Sequence, residues 1–146
     1  VRLMSAYFVT CTDIVKDEAG NVVEVHCTYD PATKSGSGFT GRKVKGTIHW
    51  VAKETAVKAE VRLYENLVDE SKGSVYNEDG SVNINPNSLT VLKDCCLEPN
   101  FESAVGGDSY QFVRNGFFCI DSKDSKPDAL VFNRIVSLKS SFKLNK

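Results

Sequence analysis

The feature that constrains the fold most is a pair of alternating runs between Arg42 and Leu67. Successive side chains of a strand point to opposite faces, so a period of two predicts a strand with one buried face. The faces predicted to be buried carry Val44, Gly46, Ile48 and Trp50 in the first run and Val57, Ala59, Val61 and Leu63 in the second. We therefore predict two half-buried antiparallel strands, joined at residues 53–56, with a basic outer face.

Two other stretches predict hairpins, because a turn signal separates strand-like runs. Residues 17–21 lie between runs 2–15 and 22–29, and in the second run Val23, Val25, Cys27 and Tyr29 are predicted to face inward. Asn115-Gly116 lies within 110–121, and both residues tolerate the positive φ of a type I′ turn. Further strands at 88–97 and 130–138 give seven or eight in all, with almost no helix. This pattern is typical of a barrel or a sandwich, with a boundary near Pro99.

Charge is nearly balanced over the 146 residues, with 18 basic and 19 acidic side chains. It is unevenly placed, however, since residues 34–62 hold seven bases and two acids, whereas residues 63–108 hold nine acids and two bases. Such segregation can steer a polyanion to one face, or it can reflect solvated loops. The acidic stretch 68–86 is interrupted by glycine and proline, and it predicts a long surface loop.

Cysteine usage and the absence of export signals bear on the compartment. Five cysteines occur, none in C-x-x-C spacing, at positions 11, 27, 95, 96 and 119. There is no signal peptide and no long apolar run. We therefore expect a reduced, cytoplasmic protein with buried thiols. The chain opens at Val1 without an initiator methionine, so we expect it to be a fragment of a longer protein.

The sequence lacks the residue patterns that are typical of an active site. Its two histidines, His26 and His49, fall on polar strand faces, and no histidine or cysteine pair has the spacing of a zinc site. No glycine-rich loop joins a strand to a helix, which excludes the usual phosphate cradle. We predict no catalytic, metal-binding or cofactor-binding residue in this chain.

The 110–121 hairpin carries residue types that bind RNA. Proteins that read single-stranded RNA stack bases on aromatic or guanidinium planes and hydrogen-bond the base edges with polar side chains. Tyr110, Gln111, Arg114 and Asn115 supply such groups. The alternative is that Phe112, Phe117 and Phe118 form core while the polar residues simply face water.

Eight blocks of the sequence resemble glutaminyl-tRNA synthetases, in the family's order and over nearly the whole chain. They are VRL at 1–3 with AY at 6–7, HCTYDPAT at 26–33, GRKVKGTIHWV at 41–51, EVRLYENL at 60–67, INPNSL at 84–89, EPNF at 98–101, YQFVRNGFFCIDS at 110–122 and VFNRIVSL at 131–138. The blocks at 41–51 and 110–122 are the most specific.

The resemblance implies the C-terminal anticodon-binding region of that family. The fold it implies is all-β, with two small antiparallel β-barrels that share elements: residues 1–98 as the first, distal barrel and 99–146 as the C-terminal part of the second, proximal one. By the same likeness Arg2 falls where the family contacts the first anticodon base, Gln111 and Arg114 where it reads the middle uridine, and Lys139 near the anticodon stem.

The partners implied are the anticodon loop of a glutamine tRNA and the catalytic domain of the same protein, which would attach glutamine using ATP and magnesium. A monomer is implied, with no membrane and no DNA partner. Two alternatives are the same region of a eukaryotic or archaeal-type glutamyl-tRNA synthetase and a non-enzymatic β-sandwich that binds proteins. A continuous basic face favours RNA, whereas scattered lysines and a large apolar patch favour the protein-binding sandwich.

Overall fold

A computed structural model describes residues 1–101 and 103–138 of the chain. Within them lie nine strands and two short 3-10 segments, Pro31–Thr33 and Glu70–Lys72, and no α-helix, so the all-β prediction is confirmed. The strands form two sheets. The chain divides into two compact units, a first unit of Val1–Trp50 and a second unit of Val51–Lys146.

The first unit is a four-stranded sheet with the order β3-β2-β1-β4. Its strands are β1 (Arg2–Leu3), β2 (Phe8–Lys16), β3 (Val22–Asp30) and β4 (Thr47–Ile48). The predicted hairpin is confirmed, since β2 and β3 pair antiparallel. At its turn the Asp17 carboxylate accepts a hydrogen bond from the Asn21 backbone N–H at 2.8 Å, and Gly20 has a φ of +85°. The Asp17 carboxylate and the positive φ of Gly20 therefore close this turn with residues of the turn itself.

The inward face predicted for β3 is wrong. Val23, Val25, Cys27 and Tyr29 are all exposed, Val23 by 62% and Tyr29 by 63%. The reason is that β1 is only two residues long and meets β2 at Phe8 alone. Among the described residues, the rest of β2 has β3 as its sheet neighbour, and alternation alone does not bury a face of such a two-stranded stretch.

The core of the first unit lies at the base of the hairpin. Phe8 is 2% exposed and Thr33 is 1% exposed. The Thr33 hydroxyl accepts a hydrogen bond from the Phe8 backbone N–H at 2.8 Å and donates to the Asp30 carbonyl at 2.7 Å. This hydroxyl thus fixes the 3-10 segment Pro31–Thr33 against the start of β2.

The second unit is a five-stranded sheet with the order β6-β5-β9-β8-β7. Its strands are β5 (Val57–Tyr64), β6 (Leu89–Leu97), β7 (Ser109–Phe112), β8 (Gly116–Ile120) and β9 (Leu130–Ser137). The alternation predicted for 57–64 is confirmed, since Ala59 and Val61 are buried and Lys58 is exposed. The core is centred on Phe132, which is fully buried and has the rings of Phe101 and Phe112 at 5.3 and 5.1 Å.

The pairing predicted for the two runs of 42–67 is wrong. In the first run only Thr47 and Ile48 are in a strand, and β4 pairs parallel with β1. The Met4 N–H bonds the Ile48 carbonyl and the Trp50 indole bonds the Met4 carbonyl, which holds this run beside the N-terminus. Ile48 and Trp50 are 47% and 42% exposed, so their predicted burial is also wrong. β5 instead pairs antiparallel with β6 and parallel with β9.

The sheets therefore differ in detail from the two antiparallel barrels that the resemblance implies. Each contains one parallel pair, and neither strand order closes on itself within the described residues. The contact boundary falls after Trp50, and strands from both sides of Pro99 share the second sheet. The assignment of 1–98 and 99–146 to a distal and a proximal barrel stays a prediction.

The acidic stretch between β5 and β6 is largely exposed, and backbone bonds fold it back on itself. Isolated bridges pair Val68 with Ile84 and Tyr76 with Val82. Asn83 is only 4% exposed, and its amide donates to the Ser74 carbonyl at 2.8 Å. The predicted surface loop is thus an excursion of the chain that folds back on itself around the buried side chain of Asn83.

The five cysteines are all free thiols. The expectation that they are buried is wrong for Cys11, Cys27 and Cys96, which are exposed, because two of them lie on the uncovered hairpin β2–β3. Among the described residues, no helix is long and apolar enough to cross a membrane.

Candidate nucleic-acid interface

The first unit contains a basic cavity beside the core residue Phe8. Its volume is about 430 Å³, and its walls include the cationic side chains of Arg2, Arg42 and Lys43 and the rings of Phe8 and Phe39. The pairing of β1 with β2 sets Arg2 opposite Phe8, and the segment after the 3-10 turn supplies the other residues. Cations beside aromatic rings are the groups that hold phosphates and unstacked bases.

Two guanidinium groups approach the same ring in this cavity. The Cζ atoms of Arg2 and Arg42 lie 4.7 and 5.5 Å from the centre of the Phe8 ring. Both distances are within the range of cation–π attraction. Arg42 also forms an ion pair with Asp30 at 3.1 Å, on a partly exposed carboxylate. The cavity therefore presents two planar cations beside one ring, and its single described ion pair neutralises only part of the charge.

The second unit presents Gln111 and Arg114 on one hairpin. β7 and β8 pair antiparallel from Ser109↔Cys119 to Phe112↔Gly116, and Val113, Arg114 and Asn115 form the connecting loop. Both Gln111 and Arg114 are exposed. The hairpin is confirmed, whereas the type I′ turn at Asn115-Gly116 is wrong, because the loop has three residues and its left-handed residue is Arg114, at a φ of +68°.

Gly116 is needed for a reason other than the predicted turn. It begins β8, has a φ of +153°, and a Cβ there would lie 2.6 Å from the Val136 carbonyl oxygen. The backbone of β9 thus passes too close for any side chain at this position.

The aromatic residues of this hairpin divide between core and surface. Phe118 is 3% exposed and stacks on Phe112 at 4.5 Å, so the prediction of core is confirmed for these two. The Tyr110 ring also points inward, and its centre lies 5.1 Å from that of the Phe101 ring. Burial raises the pKa of the Tyr110 hydroxyl, and the nearby charge of Asp108 raises it further. Phe117 is different, since it is 41% exposed. The core alternative is therefore wrong for Phe117, and Tyr110 is not free to stack on a ligand.

The basic residues of 34–62 are divided between the two units. Arg42 and Lys43 line the cavity of the first unit, whereas Lys58 donates to the Asp94 carbonyl and to the Cys96 sulfur, each at 3.2 Å. Arg62 bonds Glu60 and Asp124 at 2.8 and 2.6 Å.

Arg62 belongs to a polar cluster formed by the interior strands β5 and β9 and the segment that follows β8. Asp121 accepts hydrogen bonds from the Asp124 backbone N–H and the Asn133 amide, and Arg62 lies 3.6 Å away. These bonds, with a further one from the Lys123 N–H, hold the pKa of Asp121 at about 2. The hydrogen bonds from Arg62 to Asp124 and then to Glu60 raise the pKa of Arg62. Arg134 is likewise paired with Glu65. Since their charges are compensated within the unit, Arg62 and Arg134 are poor candidates for contacts with phosphates.

The contact residues that the sequence predicts lie in different parts of the structure. Gln111 and Arg114 share one hairpin, Arg2 belongs to the first unit, and Lys139 lies outside the described residues. Phe39 and Arg42 line the cavity but were not predicted from the sequence, although the basic Gly-Arg-Lys-Val block after a glycine-rich loop is a signal for such a site. Within the described part of the chain, no group of three metal-ligating side chains is arranged around a common point.

Comparison with known proteins defines the class. Two family models match, both described as "tRNA synthetases class I (E and Q), anti-codon binding domain", one at residues 1–30 and the other at residues 47–121. The chain belongs to this family of anticodon-binding domains.

Relatives of the chain carry a more particular name. It is 55% identical over 148 residues to the glutamine–tRNA ligase of Clostridium perfringens, covering 99% of this chain and 26% of that protein. It is 55% identical over 150 residues to that of Clostridioides difficile, covering 100% and 26%, and 48% identical over 144 residues to that of Stutzerimonas stutzeri, covering 97% and 26%. The chain thus spans about a quarter of the length of these relatives.

Proposed function

We propose that this chain recognises the anticodon loop of a glutamine tRNA as part of a glutamine–tRNA ligase. The observation that carries the proposal is the similarity of the whole chain to enzymes of that name, together with its membership of the anticodon-binding family. The structure supports it with a cavity of cations and aromatic rings and with an exposed polar hairpin.

In the first unit, Arg2 would contact the first anticodon base. Its guanidinium is positioned over Phe8 and lines the cavity, where Arg42 and Lys43 add positive charge. An unstacked base would lie against a guanidinium plane of Arg2 or Arg42, and its phosphate would pair with a neighbouring cation, because stacking and ion pairing act on different parts of one nucleotide.

In the second unit, Gln111 and Arg114 would read the middle uridine. An amide both donates and accepts, so it can exchange two hydrogen bonds with a uracil edge. Arg114, at the tip of the hairpin, could add a further base contact or a phosphate contact. On the resemblance alone, Lys139 remains a proposed contact near the anticodon stem.

The activity of a whole ligase would need more than these residues. We place ATP, magnesium and the attachment of glutamine in a catalytic domain of the parent protein, with this chain selecting the tRNA. The parent would act as a cytoplasmic monomer. Size-exclusion chromatography of the complete ligase can test its monomeric state. A wrong middle base would leave the polar groups of the site unpaired, and this is how such a site rejects it.

The test is a titration of the 146-residue chain against two anticodon stem-loops. One has the glutamine anticodon, and the other has its middle uridine replaced by cytidine. We expect the first to bind more tightly and Gln111→Ala to reduce the discrimination by about 1–3 kcal/mol, the range for a good base contact. Affinity should also fall with salt, because phosphates are neutralised on binding.

Asn87→Ala is the matched control, since Asn87 is another exposed amide of the second unit but lies outside the hairpin. It should leave both affinities unchanged. Equal binding of the two stem-loops by the unaltered chain would contradict base reading by Gln111. An absence of binding to either one would favour the protein-binding alternative.

A further inference from the structure

Phe117 is the exposed aromatic residue on the hairpin that carries Gln111. The two residues are direct partners across β7 and β8. Directly opposite residues project from the same face of a sheet, with their Cβ atoms roughly 5 Å apart. Gln111 and Phe117 are therefore neighbours on the outer face of this hairpin.

The preceding pair shows which face is the outer one. Tyr110 is opposite Phe118, and both pack into the core around Phe132, with Phe118 only 3% exposed. Since side chains alternate along a strand, Gln111 and Phe117 point away from that core. The 41% exposure of Phe117 agrees with this placement.

The surroundings of Phe117 suit a nucleic acid base. Its partner on the other side is Val136, which is 50% exposed, so neither cross-strand neighbour is acidic. Arg114 lies in the loop at the end of the same hairpin. A flat apolar ring, an amide and a guanidinium are thus presented by one short element.

We propose that Phe117 stacks on the face of the same anticodon base whose edge Gln111 reads. This inference rests on the proposed function, and it assigns a base-stacking residue to that site. Gln111 alone can bond a base edge only if the base is held in plane with the amide. The ring of Phe117 holds the base in that plane, and it does so for any base, whereas the amide selects among them.

The test is a binding cycle with Phe117→Leu, which keeps an apolar side chain but removes the aromatic plane. The ligands are the glutamine-type stem-loop and the same stem-loop with an abasic site at the middle position. Phe117→Leu should weaken binding of the complete stem-loop about 5- to 150-fold, the range for one stacked base, and should leave binding of the abasic one unchanged. Phe117→Tyr should bind both like the unaltered chain, because it restores a stacking plane.

A second exposed aromatic residue provides the matched control. Tyr76 is 61% exposed on the acidic excursion, and Tyr76→Leu should change neither affinity. The salt dependence should be the same for Phe117→Leu and the unaltered chain, since a stacked ring releases no counterion.

Two results would overturn the inference while leaving the proposed function intact. In one, Phe117→Leu binds both stem-loops as the unaltered chain does. In the other, it weakens both equally, which would show that Phe117 supports the hairpin rather than a base. If the unaltered chain binds neither stem-loop, the proposed function fails and this inference fails with it.

Discussion

Thr33 is a buried polar residue of the first unit, 1% exposed, and its hydroxyl makes two short hydrogen bonds. We expect Thr33→Val to reduce the free energy of unfolding by about 1–3 kcal/mol, since the Phe8 N–H would be left buried and unpaired. Urea unfolding followed by circular dichroism measures this. Thr28→Val, at an exposed position of β3, is the control and should have little effect.

Asp121 makes stability depend on pH at the acidic end. Its pKa of about 2 in the folded protein lies below the ordinary value of 3.8, so its contribution to stability is complete above pH 3.8 and is lost as pH falls through about 2. Asp121→Asn should therefore destabilise the protein at pH 6 and have much less effect near pH 2.

Unfolding curves of the unaltered protein and of Asp121→Asn at pH 6 and near pH 2 measure this difference in stability. Asp128→Asn, at an exposed position, should change stability little at either pH. An effect of Asp121→Asn that is as large at pH 2 as at pH 6 would show that packing of the side chain, and not its charge, is what matters.

Single residues also show where sequence reasoning reaches its limit. The exposure of the Gln111 and Arg114 side chains could be predicted, because polar residues within a strand-like run are expected to face solvent. The exposure of Phe117 could not, since an aromatic residue between Gly116 and Phe118 has no local signal for its face. The cavity was missed because Phe39 and Arg42 come from an irregular segment, and their approach to Phe8 depends on the paired strands β1 and β2.

Among the elements, the hairpin β7–β8 is the most constrained by close packing. Gly116→Ala would place a methyl group 2.6 Å from the Val136 carbonyl oxygen at a φ that side chains rarely adopt. We expect a loss of about 2 kcal/mol or more, together with weaker binding of the glutamine-type stem-loop, because β8 would have to separate from β9.

Gly46→Ala is a suitable control for this substitution. There a Cβ would meet the Val1 side chain at 3.4 Å, an ordinary contact. If the two variants had similar thermal midpoints, the close approach of β8 and β9 would not be the constraint that the geometry indicates.

Elements whose partners are near in sequence were predictable, and elements with distant partners were not. The turn at 17–21 and the hairpin of 110–121 follow from local residues. The parallel pairing of β5 with β9 joins Ala59 to Leu130, and β4 pairs with β1 at the N-terminus. Periodicity indicates a strand, but it carries no information about which strand lies beside it.

For the whole molecule, the two units differ in how much they bury. The described core residues of the first unit are Phe8 and Thr33, whereas the second unit has the cluster around Phe132. Backbone amides of β5 and β9 should therefore exchange with deuterium most slowly, and those of β2 and β3 should exchange faster. Exchange monitored by NMR tests this, and equal protection of the two sets would contradict a difference in stability between the units.

The excursion between β5 and β6 leaves and re-enters the sheet at almost one point. The Glu65 N–H bonds the Ser88 carbonyl at 2.9 Å and the Asn85 N–H bonds the Leu67 carbonyl at 2.8 Å. Closing a longer or shorter loop over such a junction changes the chain entropy only slightly. Insertions and deletions can therefore accumulate here during evolution without disturbing the strands on either side, and we expect members of the family to diverge in length at this position.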